Sequence, residues 1–193
     1  PRESNRITGD RYYRPLGHLE PADRCRQNFD SPDMIDLPLL EKQLAALKNG
    51  KAVELPVYDY RVHTRADRTE RIDPAPVVLV EGLLVLALPR IYPLFDLAVY
   101  VETPDEVRLS RRIRRDRETR GRTVESVLRQ YFETVLPAHR DLVRPSRGRA
   151  DLVVKGGGSM VVAAAAIVGW PRWPVHVAAG LVLLFNLRLV YKM

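Results

Sequence analysis

The chain has 193 residues, 46% of them hydrophobic, enough for one sizeable core and too few for two full domains. Its net charge is +7, carried by 26 Arg against only 5 Lys, which suits partners whose oxygens accept paired hydrogen bonds, phosphates first among them. A single cysteine, Cys25, excludes an internal disulfide framework and a thiolate metal cage, and no apolar secretory stretch opens the chain, so a reducing, cytoplasmic setting is expected.

Gly9-Asp10-Arg11-Tyr12-Tyr13 follows a weak strand pattern. A carboxylate at the carboxyl end of a strand in an α/β sheet stands where ligands bind and can take a proton from a substrate hydroxyl, although Gly-Asp is also an ordinary turn. Asn28 to Asp36 reads NFDSPDMID, with Asp30, Asp33 and Asp36 three residues apart. The segment lacks the alternating ligands and central glycine of a calcium loop. Asp36 reads instead as the cap of a helix bearing Leu37, Leu40, Leu44 and Leu47 and closed by Gly50. Asp30 is left to accept hydrogen bonds from ligand hydroxyls, such as a ribose diol.

Val53, Leu55 and Val57 alternate as a short strand leading into PVYDYRVHTR, Pro56 to Arg65. Tyr58, Tyr60, His63 and Arg65 there form a combination that no packing rule demands and that can hold a flat, polar ligand. His18, His139 and His176 lack such company and read as structural or surface residues.

Val77 to Val80, behind Pro74 and Pro76, predicts a strand buried on both faces of a parallel sheet, with Glu81 and Gly82 at its carboxyl end. Leu97 to Val101 predicts another, and Thr103-Pro104-Asp105-Glu106 offers an N-cap, an N1 proline and a capping-box Glu for the next helix. Eight arginines lie between Arg108 and Arg122, and Arg108, Arg111, Arg112 and Arg115 recur at i, i+3, i+4 and i+7. That spacing predicts one cationic helix face, suited to a polyphosphate or to a nucleic-acid backbone. The lack of aromatic residues among these arginines counts against single-strand recognition. A helix from about Val124 to Leu136, with Val124, Val127, Leu128, Tyr131 and Val135 on one face, and a short strand at Leu152 to Val154 complete an α/β pattern without internal repeats.

In this order, Asp10 to Tyr13, NFDSPDMID, PVYDYRVHTR, VVLVEGLLV (Val77 to Val85), RRIRRDRETRGR (Arg111 to Arg122), Gln130-Tyr131 and ADLVVKGGG (Ala150 to Gly158) resemble the uridine kinase family, the uridine–cytidine kinases related to phosphoribulokinase. The resemblance covers residues 1–158 and implies a P-loop NTPase-like parallel sheet flanked by helices. It implies transfer of the γ-phosphoryl of ATP or GTP, with Mg2+, to uridine or cytidine in pyrimidine salvage, and a homo-oligomer. By the same resemblance Asp10 is the general base on the 5′-hydroxyl and Glu81 the acid serving Mg2+. Asp30 would accept from the ribose hydroxyls, and Tyr58 and His63 contact the pyrimidine. Arg112, Arg122 and Gln130 match substrate-binding positions, and Arg115 and Arg120 match lid residues on the phosphates.

Two features depart from the family. No G-x-x-x-x-G-K-[ST] loop is present, and Gly50-Lys51 is followed by Ala52, so the expectation is a chain truncated before its first strand and P-loop, with poor ATP binding and little turnover. Residues 159–193 form an apolar tail in which Met160 to Trp170 and Val175 to Phe185 are each shorter than the roughly 18 residues of a bilayer span. The tail suits an interfacial anchor through Trp170 and Trp173, a divergent helix, or a product of an altered reading frame. Competing expectations are an inactive nucleoside-binding remnant, a phosphoribulokinase-like kinase, and an Arg-rich polyanion-binding protein.

Overall fold

Apolar runs too short for helices and bounded by proline or glycine become the strands of a parallel sheet. In the computed structural model, which describes residues 4–155 and 176–181, five strands pair in the order β1-β4-β7-β5-β6, all parallel. They are β1 (Ser4–Thr8), β4 (Val77–Glu81), β5 (Leu97–Glu102), β6 (Leu152–Lys155) and β7 (His176–Leu181). A separate antiparallel hairpin, β2 (Val53–Asp59) and β3 (Thr64–Ile72), stands apart from this sheet, with a register irregularity between Pro56 and Tyr58.

Leucine spacing produces α2 (Leu37–Lys48), which follows the single turn α1 (Pro21–Arg24). The Asp36 carboxylate accepts from the Leu39 amide as expected of a cap, and Gly50 ends the element at φ 71°. Leu40, Leu44 and Leu47 lose nearly all exposure against Ile7, Val78, Val80 and the hairpin's Val53 and Leu55. Burial of each such leucine stabilises the fold by about 2 kcal/mol. On β5, Ala98 and Tyr100 join this core while Leu97 and Val99 pack on the other face with Leu152 and Val154, so this strand is buried on both sides. On β4 only Val78 and Val80 are fully buried; Val77 and Leu79 remain half-exposed among the described residues, so the two-sided burial expected there is not reached.

Helix α3 (Asp105–Arg120) begins one residue later than the capping-box reading. Pro104 stands at the N-cap without a side-chain bond, because the first turn is instead tied by Arg108 to Asp105. Gly121 closes α3 at φ 62°.

The next helical path is not one regular α-helix. It comprises α4 (Val124–Gln130), a π turn at Tyr131–Val135, α5 (Leu136–Ala138), a second π turn at His139–Val143, and α6 (Arg144–Ser146). Val127, Tyr131, Val135, His139 and Val143, spaced by four, are all buried. A strict four-residue repeat drifts around an α-helix of 3.6 residues per turn, and the wider π turns cancel that drift. Val124, expected on the buried face, is exposed at the first residue of α4.

Within the tail, Met160 to Trp170 lies outside the described residues. His176–Leu181, within a run the sequence offered as an anchor or a helix, is a central strand, pairing with β4 from Val77↔His176 and with β5 at Leu97↔Ala178. No helix among the described residues is long and apolar enough to cross a membrane.

Candidate functional site

The carboxyl ends of β1 and β4 meet closely because both strands turn there on glycine. A Cβ on Gly82 would stand 3.3 Å from the Gly9 Cα, and one on Gly9 would stand 3.3 Å from the Glu81 carbonyl oxygen. This approach brings Asp10, in the 3-10 turn after β1, beside Glu81 at the end of β4. Glu81 Oε1 accepts from Arg6 Nη2 and from the Thr8 hydroxyl, each at 2.9 Å. Asp10 Oδ2 accepts from the Tyr60 hydroxyl at 3.1 Å.

The hairpin is held over these carboxylates by side-chain bonds along β3, from Arg65 near its tip to Glu70. Arg65 donates to Asp36 Oδ2 at 3.1 Å and to the Tyr12 carbonyl at 3.0 Å, while Arg11 reaches Glu70 at 2.7 Å. Arg65 is thus a strut joining the hairpin to the cap of α2, rather than a ligand group. At the hairpin tip His63 takes φ 53°, an uncommon conformation for a side-chain-bearing residue. Its ring stacks on Phe29 at 5.9 Å. Phe29, Tyr13 and Tyr58 make edge contacts with one another at centroid distances of 5.1–6.3 Å, and Tyr60 meets Tyr58 edge-on at 5.1 Å. The buried Tyr58 hydroxyl has no hydrogen-bond partner among the described residues. Burial, then Arg120 and Arg122, push the His63 imidazole down, so the ring is neutral near pH 7.

Asp30, buried beside this aromatic cluster, accepts from the Thr134 hydroxyl at 3.3 Å. Burial pushes its carboxyl up, opposed by Arg112 and by the Thr134 bond. Arg112 and Arg122 both donate to Gln130 Oε1, at 2.9 and 2.6 Å. One amide oxygen therefore ties α3, the loop after it and α4.

The arginine cluster is organised by a residue that the arginine spacing conceals. Asp116, with no exposed surface, is approached by Arg115 at 2.7 Å, Arg120 at 3.4 Å, Arg122 at 3.5 Å and Arg112 at 3.7 Å. The expected open cationic face is corrected by this network. Arg108 is buried against Asp105 and His139, and Arg111, Arg112 and Arg115 are only half-exposed, because the acids inside α3 draw the guanidinium groups inward. Arg120 also lies over the Tyr60 ring, 5.5 Å from its centroid.

The ten residues singled out in sequence converge. Asp10, Tyr58, Glu81, Arg115 and Arg120 line one cavity of about 650 Å³. Phe29 links Tyr58 to His63, Arg112 couples electrostatically to Asp30, and Gln130 joins Arg112 to Arg122. Sequence reading missed Phe29, Tyr13, Thr134 and Asp116. Phe29 lies inside NFDSPDMID and was legible as an aromatic beside the candidate ribose acceptor, whereas only folding brings Thr134 to Asp30. Such a cavity presents aromatic edges to a flat ring, carboxylates to hydroxyls, and guanidinium groups to anionic oxygens.

The sequence model of the phosphoribulokinase/uridine kinase family matches residues 4–163. The uridine kinase of Chloroflexus aggregans is 46% identical over 157 residues, covering 81% of this chain and 75% of that one. The uridine kinase of Lactobacillus johnsonii is 43% identical over 157 residues, covering 81% and 74%. Among solved structures, a Silicibacter protein described as a fructose transport system kinase aligns with TM-score 0.62 at 18% identity, covering 78% of this chain and 74% of that one. Phosphoribulokinase from Rhodobacter spheroides aligns with TM-score 0.60 at 20% identity, covering 79% and 60%. At these identities the two structures show a shared fold.

Proposed function

Because the chain belongs to the phosphoribulokinase/uridine kinase family, we propose that it is a nucleoside kinase whose site accepts uridine or cytidine and transfers to it the γ-phosphoryl of ATP or GTP. The observation that carries this reading is the aromatic-walled cavity in which Asp10 and Glu81 face Arg115 and Arg120 beneath the Tyr58 hairpin. Tyr58 and the Phe29–His63 pair form an aromatic wall against which a pyrimidine ring can pack, and a neutral His63 can hydrogen-bond its polar edge without adding charge. Asp30 accepts from the ribose hydroxyls, and Arg112, Arg122 and Gln130, tied together through the Gln130 amide oxygen, supply further substrate contacts.

In the reaction, the Asp10 carboxylate takes the 5′-hydroxyl proton as that oxygen bonds to the γ-phosphorus. The bond to the bridging oxygen breaks, and the nucleoside diphosphate leaves with its electron pair. Arg115 and Arg120 offset the charge on the phosphoryl oxygens during transfer. The carboxylates of Asp10 and Glu81 and the Thr8 hydroxyl are hard oxygen donors lining one cavity, the chemistry Mg2+ prefers. Glu81 Oε1 is already engaged by Arg6 and Thr8, and no cluster of three acidic, imidazole or thiol groups exists among the described residues. Glu81, with Asp10 beside it, would hold the ion, which when bound would offset negative charge on the donor phosphates.

Binding of uridine, cytidine and ribulose 5-phosphate, compared by calorimetry, tests the reading. Saturable heats with both nucleosides and none with the sugar phosphate are expected. Preference for the sugar phosphate would assign the cavity to the other branch of the family.

A further inference from the structure

Tyr60 touches both the candidate base and the lid, yet the reading above gives it no role. Its hydroxyl donates to Asp10 Oδ2 at 3.1 Å, its ring carries the Arg120 guanidinium at 5.5 Å, and the residue is 46% exposed at the hairpin tip. We propose that Tyr60 is a positioning residue, coupling Arg120 of the lid helix to the orientation of Asp10; the inference rests on the nucleoside-kinase reading.

A carboxylate with two equivalent oxygens can rotate about its terminal torsion, which is broad and roughly two-fold. Donation by a phenol to one oxygen fixes the carboxylate plane and so the direction from which it meets an incoming hydroxyl. The bond is charge-assisted, so it orients more strongly than a neutral one. The cation over the ring face is attracted by the ring's negative quadrupole and draws electron density from the phenol, which makes its O–H a better donor. Each contact therefore reinforces the other. Arg120 also belongs to the Asp116 network, so the coupling extends from the end of α3 across the hairpin to the turn after β1. Tyr58 meets the Tyr60 ring edge-on at 5.1 Å. A Phe at this position would keep the ring stack and lose only the bond to Asp10.

The test compares uridine with 5′-deoxyuridine, which lacks the hydroxyl that Asp10 would meet. In calorimetric titrations of the full chain, Tyr60→Phe is expected to weaken uridine about 3- to 10-fold, the loss of one hydrogen bond's net worth, and to leave 5′-deoxyuridine unchanged. In an Asp10→Ala background the Tyr60→Phe effect on uridine should vanish. Equal weakening of both ligands would make Tyr60 a wall of the base pocket, and no weakening of either would make the contact idle; both results overturn the coupling. Failure of the unsubstituted chain to bind either ligand would overturn the nucleoside reading and this inference with it.

Discussion

Four guanidinium groups drawn to one fully buried carboxylate form a network in which the acid is the costly member to lose, because its removal leaves several cations facing one another. Asp116→Ala is expected to destabilise the chain by about 3 kcal/mol or more in urea unfolding. Removal of the more exposed Arg120 should cost far less. Equal costs would show that the network is not centred on the acid. His139 offers a second residue-level prediction. Burial, then the Arg108 guanidinium, push its imidazole down to about 4, and a neutral Nδ1 accepts from Arg108 at 3.2 Å. The folded value lies below the unfolded value of about 6.5. The stability His139 contributes is therefore fully present above about pH 6.5 and is lost as pH falls through about 4. His139→Gln, which keeps an acceptor and cannot be protonated, should flatten the urea midpoint across that window; an unchanged acid limb would contradict the account. Neither Asp116 nor His139 was legible as important in sequence. Asp116, one of two acids among eight arginines, looks like charge balance, and a lone histidine looks like surface, until folding buries both.

At the scale of elements, α2 and the strand at Leu97 were readable because their apolar spacing matches the burial they achieve, whereas the run at Val77 was readable as a strand but overstated its burial, since Val77 and Leu79 stay half-exposed. The hairpin partner Thr64–Ile72 was not readable, since most of its side chains remain exposed and it pairs with one strand only, so no alternation of apolar residues marks it. Its function in the fold is borne by Arg65 instead. Arg65→Met, which keeps the apolar stem and removes the bonds to Asp36 and the Tyr12 carbonyl, should loosen the hairpin over Asp10 and weaken uridine binding by at least 10-fold. Hydrogen exchange should rise along the hairpin and stay low in β4. Exchange rising equally in both would mean that the strut stabilises the whole molecule and does not position the hairpin alone.

For the whole molecule, the feature least expected from sequence is the central strand. β7, from near the chain's end, pairs in parallel with both β4 and β5, although its apolar run resembled an anchor or a helix. Periodicity cannot separate a short buried strand from a helix or an interfacial segment, and only the slot between two strands decides it. Ala179 is in register with Val80 on one side and Ala98 on the other, so Ala179→Pro should disrupt ladder bonding in the middle of the sheet and cost about 3 kcal/mol or more in thermal unfolding. A neutral effect would remove β7 from the sheet. The carboxyl edge of that sheet carries Asp10 and Glu81, and residues of the hairpin and of α3 line one cavity with them, so binding reads the whole assembly at once.

The most direct test is therefore a calorimetric titration of the chain with uridine, repeated for Tyr58→Ala and His63→Ala and again with Mg-ATP present. Uridine binding that falls at least 10-fold in each variant is predicted, because both rings wall the pyrimidine space. The absence of uridine binding, or binding indifferent to both substitutions, would contradict the nucleoside site.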